Sequence, residues 1–64
     1  MPSSVIANMH YNPDKQDLTI IFVSGSVYVY KNVPLNVFIS LRAARSKGRY
    51  LNEYIKGEYE FESK

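Results

Sequence analysis

The residues of this chain whose types and spacing could do chemistry fall in two places. Residues 46 to 57 read SKGRYLNEYIKG. A serine whose oxygen accepts a bond from an unpaired helical N–H marks a helix start, and the free N–H groups and partial positive charge of such a start favour anions. Gly48 permits close approach, Lys47 offers a point charge and Arg49 a planar fork to phosphate oxygens. Asn52, with Tyr50, is placed to reach a base or ribose. The same stretch reads equally as a Ser46 cap, a solvated basic face and a Gly48 that lets two helices pack closely. The second place is Tyr28 and Tyr30, which share one face of a strand because strand side chains alternate. Exposed, such rings stack on bases; buried, they fill core space with their hydroxyls reaching the edge.

Catalysis has stricter requirements, and the chain does not meet them. It has no cysteine, and its single histidine, His10, has no carboxylate at a recognisable spacing. One histidine with scattered acids does not assemble a metal site. Asp14 and Asp17 flank a turn, where such residues set backbone geometry. His10 itself reads as a partly exposed residue on the open side of a sheet. No enzyme activity, metal or cofactor is expected.

The elements that must position these residues follow from the hydrophobic pattern. Val5 to Tyr11 is a first strand, ended by Asn12-Pro13-Asp14-Lys15. Leu18 to Val23 (LTIIFV) is a β-branched and aromatic run suited to a strand buried on much of both faces. Ser24-Gly25 interrupts it and SVYVYK resumes with period-two alternation, which makes a hairpin. Asn32-Val33-Pro34 stops the third strand. Leu35 to Arg45 spaces Val37, Phe38, Leu41 and Ala44 at helical intervals, giving an amphipathic helix over one sheet face. Ser46 then caps a second helix of about three turns, and Gly57 stands at its left-handed stop. The tail EYEFES alternates, with Tyr59 and Phe61 on one side and glutamates on the other, and suggests a short fourth strand. The fold class is α+β, an antiparallel three-stranded meander followed by two short helices, and residues 1–64 form a single domain.

Composition bounds the function further. With 45% hydrophobic and 22% charged residues in 64, the chain folds as one small domain rather than a disordered tract. A chain this short buries only about 60% of its unfolded surface, and without cysteines it has no disulfide or thiolate zinc staple. A homodimer is the expected support. MPSSVIANMH lacks a basic start and a long apolar run, and nothing approaches a membrane span, so a soluble cytoplasmic protein is expected. Charge is uneven. Arg42, Arg45, Lys47, Arg49 and Lys56 against Glu53 make residues 42–56 +4, and Glu58, Glu60 and Glu62 against Lys64 make the tail −2.

Ser3-Ser4-Val5-Ile6, Tyr11, Leu18 to Phe22, Gly25, Tyr28-Val29-Tyr30, Val33-Pro34 and Ser46-Lys47-Gly48 with Tyr50, Asn52 and Ile55 together form a pattern running nearly end to end. The Y-x-Y and S-K-G-x-Y-x-N elements are its specific parts, and Tyr59 looks like its closing aromatic. This pattern resembles the KTSC domain, a module found at the C-terminus of some lysyl-tRNA synthetases and in small stand-alone proteins of bacteria and their viruses. The resemblance implies RNA contact by association, and a functional weight on Tyr28 and Tyr30. Val29 stands where a basic residue is common in that family, which weakens a charged contact on the third strand. The expected function is a non-catalytic binding module for a phosphate-bearing ligand, either an RNA segment or a small nucleotide held by sequestration. A protein-interaction module docking a partner through a sheet edge or helix face is the alternative.

Overall fold

Asn12-Pro13 and Ser24-Gly25 divide the first half of the chain into extended runs. The computed structural model, which describes residues 6–64, pairs those runs as a meander. Strands β1 (Ile6–Asn12), β2 (Asp17–Phe22) and β3 (Val27–Tyr30) are antiparallel neighbours, and β4 (Phe61–Ser63) returns beside β3, so the sheet order is β1-β2-β3-β4. Between β3 and β4 lie helices α1 (Leu35–Ala43) and α2 (Lys47–Tyr50), the latter running directly into a π-helical turn at Leu51–Ile55. The architecture is α+β, with the short C-terminal strand that the alternation of EYEFES suggests. Ser3, Ser4 and Val5 of the sequence reading lie outside the described residues.

Both hairpin turns are explained by local chemistry. The Asn12 side-chain oxygen accepts the N–H groups of Asp14 (3.0 Å) and Lys15 (3.4 Å), an Asx-type turn. Asn12 therefore sets this turn rather than the aspartates, and Asp17 opens β2 and pairs with Lys31 at 3.7 Å. At the second turn the Gly25 N–H donates to the Phe22 carbonyl (2.9 Å) and the Phe22 N–H to the Ser26 carbonyl (2.8 Å). Gly25 has φ +98°, the left-handed position that three-residue hairpins reserve for glycine. Val23, read as strand, belongs to this turn and is 67% exposed.

Strand register decides what reaches the core. Met9, Ile20 and Tyr28 form one cross-strand row and Tyr11, Leu18, Tyr30 and Phe61 the next, all on the side that the helices cover. The fully buried centre consists of Leu18, Ile20 and Tyr30 from the sheet, Val33 from the connection, and Leu41, Leu51 and Ile55 from the helices. His10, Thr19, Val29 and Glu62 share a row on the opposite face, where His10 is exposed. Lys31 ties that face together through Asp17 and, at 3.5 Å, Glu62 of β4.

Helix ends carry the punctuation that the sequence advertised, with two differences. Ala44 is extended (ψ 143°), so α1 stops at Ala43 and Arg45 lies in the connection instead of on the helix. Ser46 caps α2, its Oγ accepting the Arg49 N–H at 3.3 Å, and Gly57 closes the segment at φ +84°. Between them the chain is not three regular α turns. The Lys56 N–H reaches back to the Leu51 carbonyl at 2.8 Å, a five-residue step that widens the last turn. Ser46→Ala is expected to cost about 1 kcal/mol, the usual loss of a serine cap. Gly57→Ala should cost a further ~1 kcal/mol through left-handed strain, and urea unfolding of the single and double variants measures both.

Candidate functional site

Because α1 ends early, residues 44–46 turn sharply and bring Arg45 and Ser46 against the exposed side of the second helix. Tyr50 and Tyr54 stand one turn apart there, with ring centroids 4.7 Å apart at 37°. Tyr54 is 58% exposed, so its outer surface is open to a ligand ring. Arg49 donates from Nε to Glu53 Oε2 at 3.1 Å, which holds the guanidinium through one nitrogen on a side chain that is 78% exposed, and among the described residues its terminal nitrogens have no bonded partner. Arg45, Ser46, Arg49, Tyr50, Glu53 and Tyr54 line a shallow depression of about 270 Å³. Two arginines against one glutamate leave it with positive charge, and the tyrosine pair lines it with two rings tilted against each other. Such an arrangement suits a phosphate beside a stacked ring.

The residues singled out from sequence do not all meet here. Ser46, Arg49 and Tyr50 do. Lys47 lines a different cleft, of about 500 Å³, between the helices and β1, with Arg42, Phe38 and Met9. In that cleft the Arg42 guanidinium lies 5.7 Å above the Phe38 ring, which in turn stacks on Tyr11 at 5.0 Å. Gly48 is half-buried, and Asn52 is exposed but lines none of these depressions. Tyr28 lines a third depression at the β2–β3 turn, with Phe22, Ser24, Ser26 and Lys56.

Tyr30 is the clear correction. At 1% exposure it is a core residue, and it cannot stack on a base or touch a ribose. It sits opposite Leu18 in mid-sheet with Phe61 at 5.4 Å. Burial, and secondarily the neighbouring Tyr28, push its hydroxyl above the ordinary tyrosine value.

Arg45 and Tyr54 are the site residues that the sequence reading missed. Tyr54 carried a signal, since it follows Tyr50 by four residues and so shares its helix face. Arg45 carried only its membership of the basic segment. Among the described residues no group of three or more His, Cys, Asp or Glu side chains could hold a metal ion, and no helix is long and apolar enough to cross a membrane.

The whole pattern, from β1 to Tyr59, matches a known family model: the KTSC domain model covers residues 2–59. The chain belongs to the KTSC domain family. A lysine–tRNA ligase of Nostoc sp. is 46% identical to it over 59 residues, 92% of this chain but 10% of the ligase, so the chain spans about a tenth of the length of such relatives. A protein of Tsukamurella paurometabola is 40% identical over 89% of this chain and 85% of its own length. The crystal structure of a KTSC domain protein from Yersinia pestis superposes with a TM-score of 0.90 at 32% identity, covering 100% of this chain and 93% of that one. A KTSC domain is thus a small module that occurs within large proteins and in proteins of about its own size.

Proposed function

We propose that this KTSC domain is a non-catalytic binding module for a nucleotide phosphate, presented by an RNA segment or by a free nucleotide. The observation that carries the reading is the Tyr50/Tyr54 ring pair bordered by Arg45 and Arg49. A base stacks on the exposed Tyr54 ring, and its phosphate takes the terminal guanidinium nitrogens that the Glu53 bond leaves free. Stacking of this kind tolerates any base, because each has a π-face.

Size separates the two ligand sources. A depression of about 270 Å³ lies below the ~300–1,000 Å³ of pockets that enclose small ligands. Sequestering a free nucleotide therefore needs a second copy of the chain to close the site, whereas an RNA strand needs only to lie across it. The lysine–tRNA ligases among the relatives support the RNA arm.

A protein-docking role draws on different residues. Leu35 and Ile39, each 50% exposed, lie one turn apart on α1, and among the described residues β1 is an edge strand of the sheet.

Salt distinguishes the ligands. A single strand contacting two arginines should lose about sevenfold in affinity between 50 and 200 mM salt, read by anisotropy of a labelled RNA oligomer. A free nucleotide held between two copies should change much less, and native mass spectrometry should then show a ligand-bound dimer. If neither RNA nor any of a nucleotide panel binds at low salt, the proposal is lost.

A further inference from the structure

The turn between β2 and β3 holds a second cluster that the Tyr50/Tyr54 depression does not use. Phe22, Ser24, Ser26, Tyr28 and Lys56 line a recess of about 190 Å³, and no residue is shared between the two. The recess exists because the three-residue turn at Gly25 lifts Ser24 and Ser26 to one side, their hydroxyl oxygens 3.4 Å apart. The rings of Phe22 and Tyr28 meet edge to face at 5.3 Å and make its wall. Lys56 arrives from the end of the π-helical turn, with its ammonium 6.0 Å from the Phe22 ring centroid. Among the described residues no carboxylate lies within salt-bridge distance of Lys56, and none lines the recess.

We infer that this recess binds a phosphoryl group, such as that of a phosphate monoester. It offers an ammonium and three hydroxyls, of which Ser24 donates weakly to Ser26 Oγ at 3.4 Å and must turn to the ligand, and no carboxylate lines it. A phosphoryl group presents three strong acceptor oxygens pointing in different directions, while a carboxylate presents two in one plane. The aromatic wall of Phe22 and Tyr28 takes the apolar part of the ester. Tyr28 thereby serves an oxyanion through its hydroxyl rather than a base through its ring, because its ring already packs on Phe22 and, at 5.2 Å, on Phe61.

The test uses the full chain carrying Arg45→Gln, Arg49→Gln and Lys47→Gln, which removes the cations beside the tyrosine pair and one of the two in the cleft beside β1. Methyl phosphate and acetate are titrated at constant ionic strength while backbone amide resonances are followed by NMR. Methyl phosphate should shift the amides of Ser24, Ser26 and Lys56 saturably, and acetate should bind about tenfold more weakly or not at all. Adding Lys56→Gln should weaken methyl phosphate about tenfold or more, whereas Lys15→Gln should leave it unchanged. Equal shifts with acetate, non-saturating shifts, or no effect of Lys56→Gln overturn the inference, and none of these outcomes bears on Arg45 and Arg49.

Discussion

Tyr30→Ala is expected to leave the chain largely unfolded at room temperature, while Tyr30→Phe folds within about 1 kcal/mol of the parent. The ring is 1% exposed at the middle of the sheet and packs on Leu18 and Phe61. Deleting a buried aromatic costs about 3–5 kcal/mol, and a core of this size rarely supplies more than about 3–5 kcal/mol in total. Far-ultraviolet circular dichroism and urea titration measure both variants. An alanine variant that unfolds near the parental urea midpoint would show that Tyr30 does not close the core.

The same residue predicts an alkaline limit. Its folded pKa is raised, so the folded state holds its proton where the unfolded state has released it. That contribution is complete below the ordinary tyrosine value of about 10 and is lost as pH rises through the higher folded value. Tyr30→Phe should remove this part of the alkaline fall in stability, leaving the rest.

Arg45→Gln with Arg49→Gln is expected to weaken RNA or nucleotide binding about 30-fold, taking roughly 1 kcal/mol for each exposed charge-assisted contact. Tyr54→Ala should weaken it about fivefold or more through lost stacking. Lys47→Gln should change it less than about twofold, because Lys47 faces the cleft beside β1 and not the tyrosine pair. Stability of all three should stay within about 0.5 kcal/mol of the parent, apart from the small Arg49–Glu53 pair. Anisotropy with labelled RNA and calorimetry with nucleotides read the affinities. Loss on Lys47→Gln with no loss on the arginine pair would move the site to the β1 cleft.

The meander, both turns, the Ser46 cap, the Gly57 stop and the fourth strand were legible because each rests on local chemistry. Period-two alternation needs a sheet, proline breaks a ladder, and a serine before a helix satisfies a free N–H. The division between Tyr28 and Tyr30 was not legible. Both point to the same face, and alternation specifies a face without specifying distance from the turn. Tyr30 lies in the row with Leu18 at the centre, and Tyr28 lies in the row nearer the turn, where Lys56 reaches it.

The candidate site divides in the same way. Residues four apart on one helix, Tyr50 with Tyr54 and Arg49 with Glu53, are neighbours by helix geometry alone. Their meeting with Arg45 depended on where α1 ended, and Ala44 turns extended at a point that helical spacing had carried through. The widening of the last turn, which carries Lys56 to Phe22, likewise has no local signature in LNEYI. By itself, then, the sequence determined the elements, their faces and the segment that holds the positive charge, because those follow from periodicity and neighbouring residues. Only the tertiary structure decided which tyrosine is core and which cations share a surface, because depth and adjacency are set by how the helices seat on the sheet.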